Sequence, residues 1–533
     1  MQRITVAGVS VLLNLGAAFA AQPEKPAAAK TEAAAPEAPA EVDILDDYKR
    51  INGEEFPQPP TQFRKGSVSE IQFPADKVAK TKGGFEITMP HGTPVPTPTI
   101  YQGKLFASGG FSSREYYCFD AKTGAPVWGV SLDDDGPTTC GAEDGVVVFN
   151  TESCTIFSVE AATGKLLWAH WLGDPLLSTP TVSGGMVFTA YPVRMNGGGA
   201  LPPANQAANE KAPKPKGPKG QVPEMPKTIP QVTHALAAFD LKTGKIRWQH
   251  WLDSDVMSAP VVAEGKLFVA TLGGNVYSFA PATGEILTAK KSRATSAPVV
   301  VGKDVFMTKR TDKAAEPAKE GVAKTDVSFT AASPVVHEKV AAYLDPAVQS
   351  GAKLAAAGKT LDAGNGFAGG APATANATAA AGNIGQASVS TLQSFQGSRA
   401  LNYGQWNLYC TGDELMCTSI ADGAKQWSFK LEGDLKKEGG FLAAPPAAAG
   451  GSIFLSTLKG EVLQVSPEKG EILKRYAIGQ PTRWQPVIEG GLLYTSTENG
   501  RIICQDTGDP KNTGWSTWGG DSARTGSRKM PGK

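Results

Sequence analysis

The chain has 533 residues, of which 41% are hydrophobic and 19% charged, and it contains 60 glycines and 39 prolines. Such a length exceeds one ordinary domain unless the chain is built of repeats, and the many turn-forming residues favour short strands over long helices. The 52 lysines and arginines balance 51 acidic residues. Because this leaves no excess of cations to displace counterions from a phosphate backbone, we expect no nucleic-acid partner.

The N-terminus has the features of an export signal. Arg3 precedes an apolar run from Ile4 to Phe19, which ends in the small-x-small pattern Ala18-Phe19-Ala20. These features predict a signal peptide over residues 1–21, with an uncleaved anchor as the alternative, and a mature chain without a transmembrane span. We therefore expect an exported protein that is periplasmic or located at the cell surface.

A seven-residue segment recurs along the chain and ends each time in Thr-Gly. The copies align without gaps, and their glycines are 40, 80 and 40 residues apart. The final residues of the four copies are Gly124, Gly164, Gly244 and Gly284. A period of 40 residues with one longer interval predicts a repeated four-stranded sheet that carries one insertion.

Tryptophan occupies one fixed position of the repeat, four residues after the glycine. The residues at this position are Trp128, Trp168, Trp248 and Trp427. A large flat side chain at a fixed position suits packing between adjacent sheets. The pattern Asp-x-x-Thr-Gly-Lys-x-x-Trp resembles the tryptophan-docking repeat of PQQ-repeat, quinoprotein-like β-propellers. The resemblance implies an all-β propeller of four-stranded antiparallel blades and a structural docking role for these tryptophans and glycines. Counting the units, with a degenerate one between Ser296 and about Val336, predicts an eight-bladed propeller, with seven blades as the alternative.

The repeats place the propeller between residues 84 and 526. The other segments are a low-complexity linker at 22–42, an N-terminal extension at 43–83, two insertions at 194–232 and 311–394, and a tail at 527–533. The insertions are expected to be disordered or partly helical surface loops. Gly84–Met89 and Trp515–Gly526 are expected to close the ring, because strands from both chain ends usually fasten a propeller. The last unit is predicted near Pro510, with Trp515 in it, and we expect a monomer.

The cysteines do not form the pattern of a redox site. Quinoprotein alcohol dehydrogenases, whose blades this repeat resembles, carry an adjacent Cys-Cys pair, and no two of the six cysteines here are adjacent. Cys118, Cys417 and Cys504 share a repeat position that small residues hold elsewhere, which indicates packing. Cys410 and Cys417 flank a turn, so a disulfide between them stays open.

Two further groups contain residue types that bind metals. Asp133-Asp134-Asp135-Gly136 lacks the alternating ligands of a calcium loop and is predicted to be a solvated turn. His170 and His250 hold equivalent repeat positions, which favours packing over metal binding. The sequence therefore predicts no catalytic, cofactor-binding or metal-binding residue.

The resemblance is closer to the scaffolding propeller of the outer-membrane barrel-assembly machinery than to the quinoprotein alcohol dehydrogenases. It implies a non-catalytic interaction scaffold outside the cytoplasm, without a cofactor and with a protein partner in the cell envelope. Two alternatives are left open by the sequence. One is a dehydrogenase that uses PQQ with calcium at a divergent site, and the other is a glycan-binding propeller that uses rim tryptophans such as Trp406 and Trp484.

Overall fold

The computed structural model describes residues 41–53, 59, 64–151, 155–172, 178–193, 232–313, 319–329, 335–340, 400–438 and 441–529. Within them the chain forms eight sheets of four or five strands, which are the blades of a β-propeller. The all-β fold with eight blades is therefore confirmed, and the seven-bladed alternative is wrong. The predicted signal peptide, nearly all of the linker and most of both insertions lie outside the described residues.

The N-terminal part of the described chain contains short elements that precede the first complete blade. They are β1 (Val42–Asp43), α1 (Leu45–Ile51), β2 (Arg64–Lys65), β3 (Val68–Ile71), a 3₁₀ turn (Ala75–Lys77), β4 (Val78–Thr81) and β5 (Gly84–Thr88). The helix α1 has 7 residues. Across the described ranges, no helix has both the length and the apolar character that a membrane crossing requires.

Blades 1 to 4 each contain four consecutive strands. Blade 1 consists of β6 (Thr99–Tyr101), β7 (Lys104–Ser108), β8 (Glu115–Asp120) and β9 (Pro126–Leu132). Blade 2 consists of β10 (Gly141–Glu143), β11 (Val146–Asn150), β12 (Thr155–Glu160) and β13 (Leu166–Trp171). Blade 3 consists of β14 (Thr181–Ser183), β15 (Met186–Pro192), β16 (His234–Asp240) and β17 (Ile246–Leu252). Blade 4 consists of β18 (Val261–Ala263), β19 (Lys266–Ala270), β20 (Asn275–Phe279) and β21 (Ile286–Lys291).

Blades 5 to 7 follow the same order, whereas blade 8 is completed from the N-terminal side. Blade 5 consists of β22 (Val299–Val301), β23 (Asp304–Arg310), β24 (Lys319–Asp326) and β25 (Val335–Val340). Blade 6 consists of β26 (Ala400–Tyr403), β27 (Trp406–Thr411), β28 (Glu414–Ser419) and β29 (Lys425–Lys430). Blade 7 consists of β30 (Ala447–Ala449), β31 (Ser452–Thr457), β32 (Glu461–Val465) and β33 (Ile472–Ala477). Blade 8 has β34 (Val487–Glu489), β35 (Leu492–Ser496) and β36 (Arg501–Asp506), and β37 (Ser527–Arg528) ends the described chain.

The first strands of successive blades adjoin one another and therefore surround the axis, while the fourth strands lie at the rim. The predicted insertion at 194–232 falls between β15 and β16, at the edge of a blade. The predicted insertion at 311–394 needs correction, because β24 and β25 of blade 5 lie within it. These strands lack the Thr-Gly turn and docking tryptophan by which the other units were found.

The turn between the third and fourth strands explains the repeated Asp-x-x-Thr-Gly pattern. In blade 3 the Asp240 Oδ1 accepts hydrogen bonds from the Thr243 backbone N–H at 2.9 Å and from its hydroxyl at 2.7 Å. These bonds and the Arg247 guanidinium lower the pKa of Asp240 to about 2. Gly244 closes the turn with a φ of +65°, a conformation that favours glycine.

Strands from the N-terminal part of the chain pair with the outer edges of several blades. β5 lies on the segment predicted to close the propeller, and it pairs antiparallel with β36, so that Phe85 stands opposite Cys504. β4 extends blade 8 further by pairing with β5, and other strands cover the rims of other blades: β1 pairs with β21, β2 with β13 and β3 with β9. At the rim of blade 3, Asn52 and Pro59 accept hydrogen bonds from β17. The extension therefore covers the outer edges of blades 1, 2, 3, 4 and 8.

Candidate functional site

The tryptophans at the predicted docking position join each blade to the next. Trp168, on β13 of blade 2, donates from its indole Nε1 to the backbone oxygen of Leu241 in blade 3 at 2.8 Å. Its ring lies against Gly244, where an added Cβ would stand 2.5 Å from the indole. The same contact recurs in the pairs Trp128–Gly164, Trp248–Gly284 and Trp427–Gly470. These residues position the blades relative to one another.

The first of the predicted docking glycines has a different partner. Gly124 belongs to blade 1 and faces blade 8, whose outer part is supplied by β5. An added Cβ at Gly124 would stand 2.6 Å from the Phe85 ring. Phe85 therefore fills the place that tryptophan holds at the four interfaces with a docking tryptophan.

The axis of the propeller is occupied by the segment that precedes β37, residues 515–526, which we call the axial segment. Inner-strand N–H groups donate to its backbone oxygens in three blades: Ile100 to Ser516 at 2.7 Å, Val182 to Ser522 at 2.9 Å and Val262 to Ala523 at 2.9 Å. Trp515 is 1% exposed at the axis, where it is paired with Ile488 of β34 in the last blade.

Arg524 is the basic residue of the axial segment, and its side chain is buried. Its terminal nitrogens donate to backbone oxygens of Trp518 at 2.7 Å, Cys140 at 3.0 Å and Pro180 at 3.2 Å. The guanidinium carbon also lies 4.8 Å from the centre of the Trp518 ring. Burial lowers the pKa of Arg524 to about 10, so it still carries its charge at neutral pH.

The aspartate loop differs from the solvated turn that the sequence predicts. Asp134 is partly buried, and its Oδ2 accepts hydrogen bonds from the hydroxyls of Thr151 at 2.8 Å and Thr155 at 2.6 Å. Burial raises the pKa of Asp134. In the part of the chain that the structure describes, no three His, Cys, Asp or Glu side chains are grouped as they would be around a metal ion.

The two repeat-equivalent histidines lie among aromatic rings. The centre of the His170 ring is 5.2 Å from that of Trp168, and the His250 ring is 5.5 Å from that of Trp248. Burial lowers the pKa of both histidines. They are therefore neutral at pH 7 and extend the aromatic contacts between blades.

The disulfide considered between Cys410 and Cys417 is not formed, and both side chains are buried. In the hairpin of β27 and β28, Cys410 stands opposite Leu415, and Cys417 stands opposite Leu408. The two cysteines are thus diagonal neighbours, whose separation exceeds that of directly paired residues. The repeat-equivalent Cys118, Cys417 and Cys504 are also buried and free.

The two tryptophans considered for glycan binding do not form an exposed aromatic platform. Trp484 is buried and packs edge-on against Phe111, with 5.7 Å between ring centres. Trp406 is partly buried against the core of blades 6 and 7. The sequence had indicated that Trp484 is a rim residue, and its burial shows that this was wrong.

The rim of blades 6 and 7 is where the described structure leaves strand edges uncovered. Among the described residues, β17, β25, β29 and β33 have no strand paired on their outer side, and Asn52 and Pro59 contact the outer side of β17 instead. β33 is the most accessible of those with described side chains, since five of its six residues are exposed. Ile472 is 38% exposed and Leu473 is 55% exposed. An edge of this kind has free backbone N–H and C=O groups that another strand can pair with.

A shallow groove lies beside β33, between the rims of blades 6 and 7. Its apolar lining comes from Phe429, Leu431, Leu463 and Ile472. Its charges are arranged in pairs: Arg475 contacts Glu461 at 2.6 Å, and Lys459 contacts Glu432. An apolar floor with a charged margin is typical of a protein-binding surface. We call β33 and this groove the free rim.

Sequence reasoning missed the free rim and the axial position of Arg524. The free rim depends on which blades the N-terminal extension covers. That coverage could not be predicted, because strands as short as β1 and β2, with 2 residues each, leave no alternating hydrophobic pattern in the sequence. The sequence signal for the axial segment was the aromatic and glycine-rich composition of residues 515–526. This composition predicted that the segment closes the ring, but it did not predict that the segment lies at the propeller axis.

A family model described as Outer membrane protein assembly factor BamB matches residues 113–201, 229–328 and 388–527, which is more than half of the chain. A curated relative, tetrathionate hydrolase of Acidithiobacillus ferrooxidans, is 26% identical over 179 residues, which are 33% of this chain and 32% of the relative. The match thus spans about a third of that enzyme.

Solved structures with a similar fold include BamB from Moraxella catarrhalis, which is 12% identical, with 80% of this chain and 99% of that chain covered and a TM-score of 0.48. The quinohemoprotein alcohol dehydrogenase from Comamonas testosteroni is also 12% identical, with 85% and 78% covered and a TM-score of 0.46.

Proposed function

The chain belongs to the PQQ_2 family, whose model is described as Outer membrane protein assembly factor BamB, and from this premise we propose that it is a non-catalytic scaffold of the cell envelope. In this proposal the chain is exported and acts as a monomer. It binds a partner protein at the free rim and requires no cofactor.

The observation that carries the proposal is the contrast between covered and uncovered blade edges. β1, β2 and β3 each add a fifth strand to a blade rim, so these rims accept an extended segment in a geometry the fold already uses. β33 has the same place in blade 7 without such a strand. An extended segment of a partner can pair with β33 through its backbone, and its alternate apolar side chains can reach the groove.

Site-specific photo-crosslinking tests the proposal. Leu473 and Leu167 hold the same repeat position, one residue before the docking position, and both side chains are exposed. They differ in that β33 has a free edge, whereas the strand of Leu167 is paired with β2. A photoreactive phenylalanine analogue at position 473, in cells that make the protein natively, should give an adduct with one envelope protein.

The analogue at position 167 is the matched control and should give no such adduct. The proposal fails if position 473 gives no adduct, or if both positions capture the same proteins to the same extent. A fragment spectrum of the adduct should place the crosslink in a segment with alternating apolar residues.

A further inference from the structure

A small cavity at the axis lies between the axial segment and the inner parts of blades 4 to 6. Its polar lining comes from Gln485, Trp515, Trp518 and Arg524. The remaining lining is apolar or glycine: Ala259, Val261, Ala297, Ala400, Gly519 and Gly526. The free space is close to that of one water molecule.

The Arg524 charge in this cavity has no carboxylate against it within the described residues. The side chain is 3% exposed, and its hydrogen bonds go to neutral oxygens, three backbone carbonyls and the Thr517 hydroxyl. Asp521 is the acidic residue that influences it, and that carboxylate bonds to Thr525 at 2.8 Å and faces Arg528 at 3.8 Å. A buried charge without a counter-charge is costly.

Three N–H donors of the lining residues also have no hydrogen-bond partner. They are the Arg524 Nε and the indole Nε1 atoms of Trp515 and Trp518, and both tryptophans are buried. The oxygen of Gln485 already accepts from the Gly519 N–H at 2.8 Å. The polar lining therefore has an excess of unpaired donors and a positive charge.

We propose that this axial cavity binds a small monovalent anion, such as chloride, through the Arg524 guanidinium and the two indole N–H groups. A water molecule accepts about two hydrogen bonds and carries no charge, so it cannot satisfy all three donors or balance the guanidinium. An anion accepts from all three donors and also balances the charge. The size of the cavity favours a single-atom anion over sulfate or phosphate. The site is independent of the proposed scaffold function.

Crystals of the full chain grown in bromide in place of chloride test the site. We expect an anomalous-scattering peak in the axial cavity, within hydrogen-bond reach of the Arg524 Nε. A cavity that contains water or no density under these conditions overturns the proposal. This measurement uses the unmodified protein and does not depend on any variant folding.

The variant Arg524→Gln tests whether the charge holds the anion. It should lose the bromide peak, and its unfolding temperature should no longer rise when chloride replaces gluconate at equal ionic strength. Arg528→Gln is the matched control, because Arg528 lies in the same part of the chain but pairs with Asp521, and it should keep both effects. Full bromide occupancy in Arg524→Gln would overturn the assignment to Arg524.

Discussion

At the scale of single residues, one glycine position satisfies two requirements of the blade interface. Gly244 has a φ of +65° in its turn, and its missing side chain leaves the space in which the Trp168 indole lies. The spacing of glycine and tryptophan in the sequence predicts both the turn and the docking. The identity of the partner blade required the structure, because a tryptophan packs against the glycine of the following unit and not its own.

The two requirements can be separated by comparing two alanine variants. Gly244→Ala introduces a Cβ 2.5 Å from the indole as well as backbone strain, so we expect a loss of about 2–4 kcal/mol in the free energy of unfolding. Gly265→Ala has the same strain, with a φ of +72°, but its Cβ would meet nothing within 4 Å. It should lose only about 1–2 kcal/mol. Urea titration measures both, and equal losses would contradict the docking role.

At the scale of elements, the strands of the regular units could be predicted, and those of the extension could not. Inner and middle strands such as Val146–Asn150 are apolar runs bordered by turns, here one with Gly145, which is a strong local signal. By contrast, β2 is the pair Arg64–Lys65, and what makes it a strand is the exposed edge of β13 beside it. The free rim is unpredictable for the same reason, because it is defined by where the extension is absent.

The extension should stabilise the ring and prevent self-association. A chain that begins at residue 72 keeps β4 and β5 but loses the burial of Tyr48 and Ile51 and uncovers the edges of β9, β13 and β21. We expect a lower unfolding temperature and concentration-dependent association, because uncovered strand edges pair with one another. Thermal unfolding and sedimentation velocity measure these effects. A chain that begins at residue 41 is the control, and identical behaviour of the two chains would refute this role.

At the scale of the whole molecule, two connections hold the ring closed. The pairing of β5 with β36 could be predicted, since a strand-like segment precedes the first unit and the last unit lacks a fourth strand. The axial segment was not predictable in its position, because its hydrogen bonds join residues such as Ser516 and Ile100 that are distant in the chain. It connects inner strands of blades 1, 3 and 4, so its effect is on the ring as a unit.

Removal of the axial segment should therefore loosen the inner strands in several blades at once. In a chain that ends at residue 513, the N–H groups of Ile100, Val182 and Val262 lose their acceptors. We expect their hydrogen exchange to accelerate roughly tenfold or more, because a lost hydrogen bond and local opening both reduce protection. The amides that pair β7 with β8 should stay slow, since their partners lie within blade 1. A chain that lacks only residues 530–533 is the control. If the three inner-strand amides exchange alike in both chains, the axial segment does not bind the blades together.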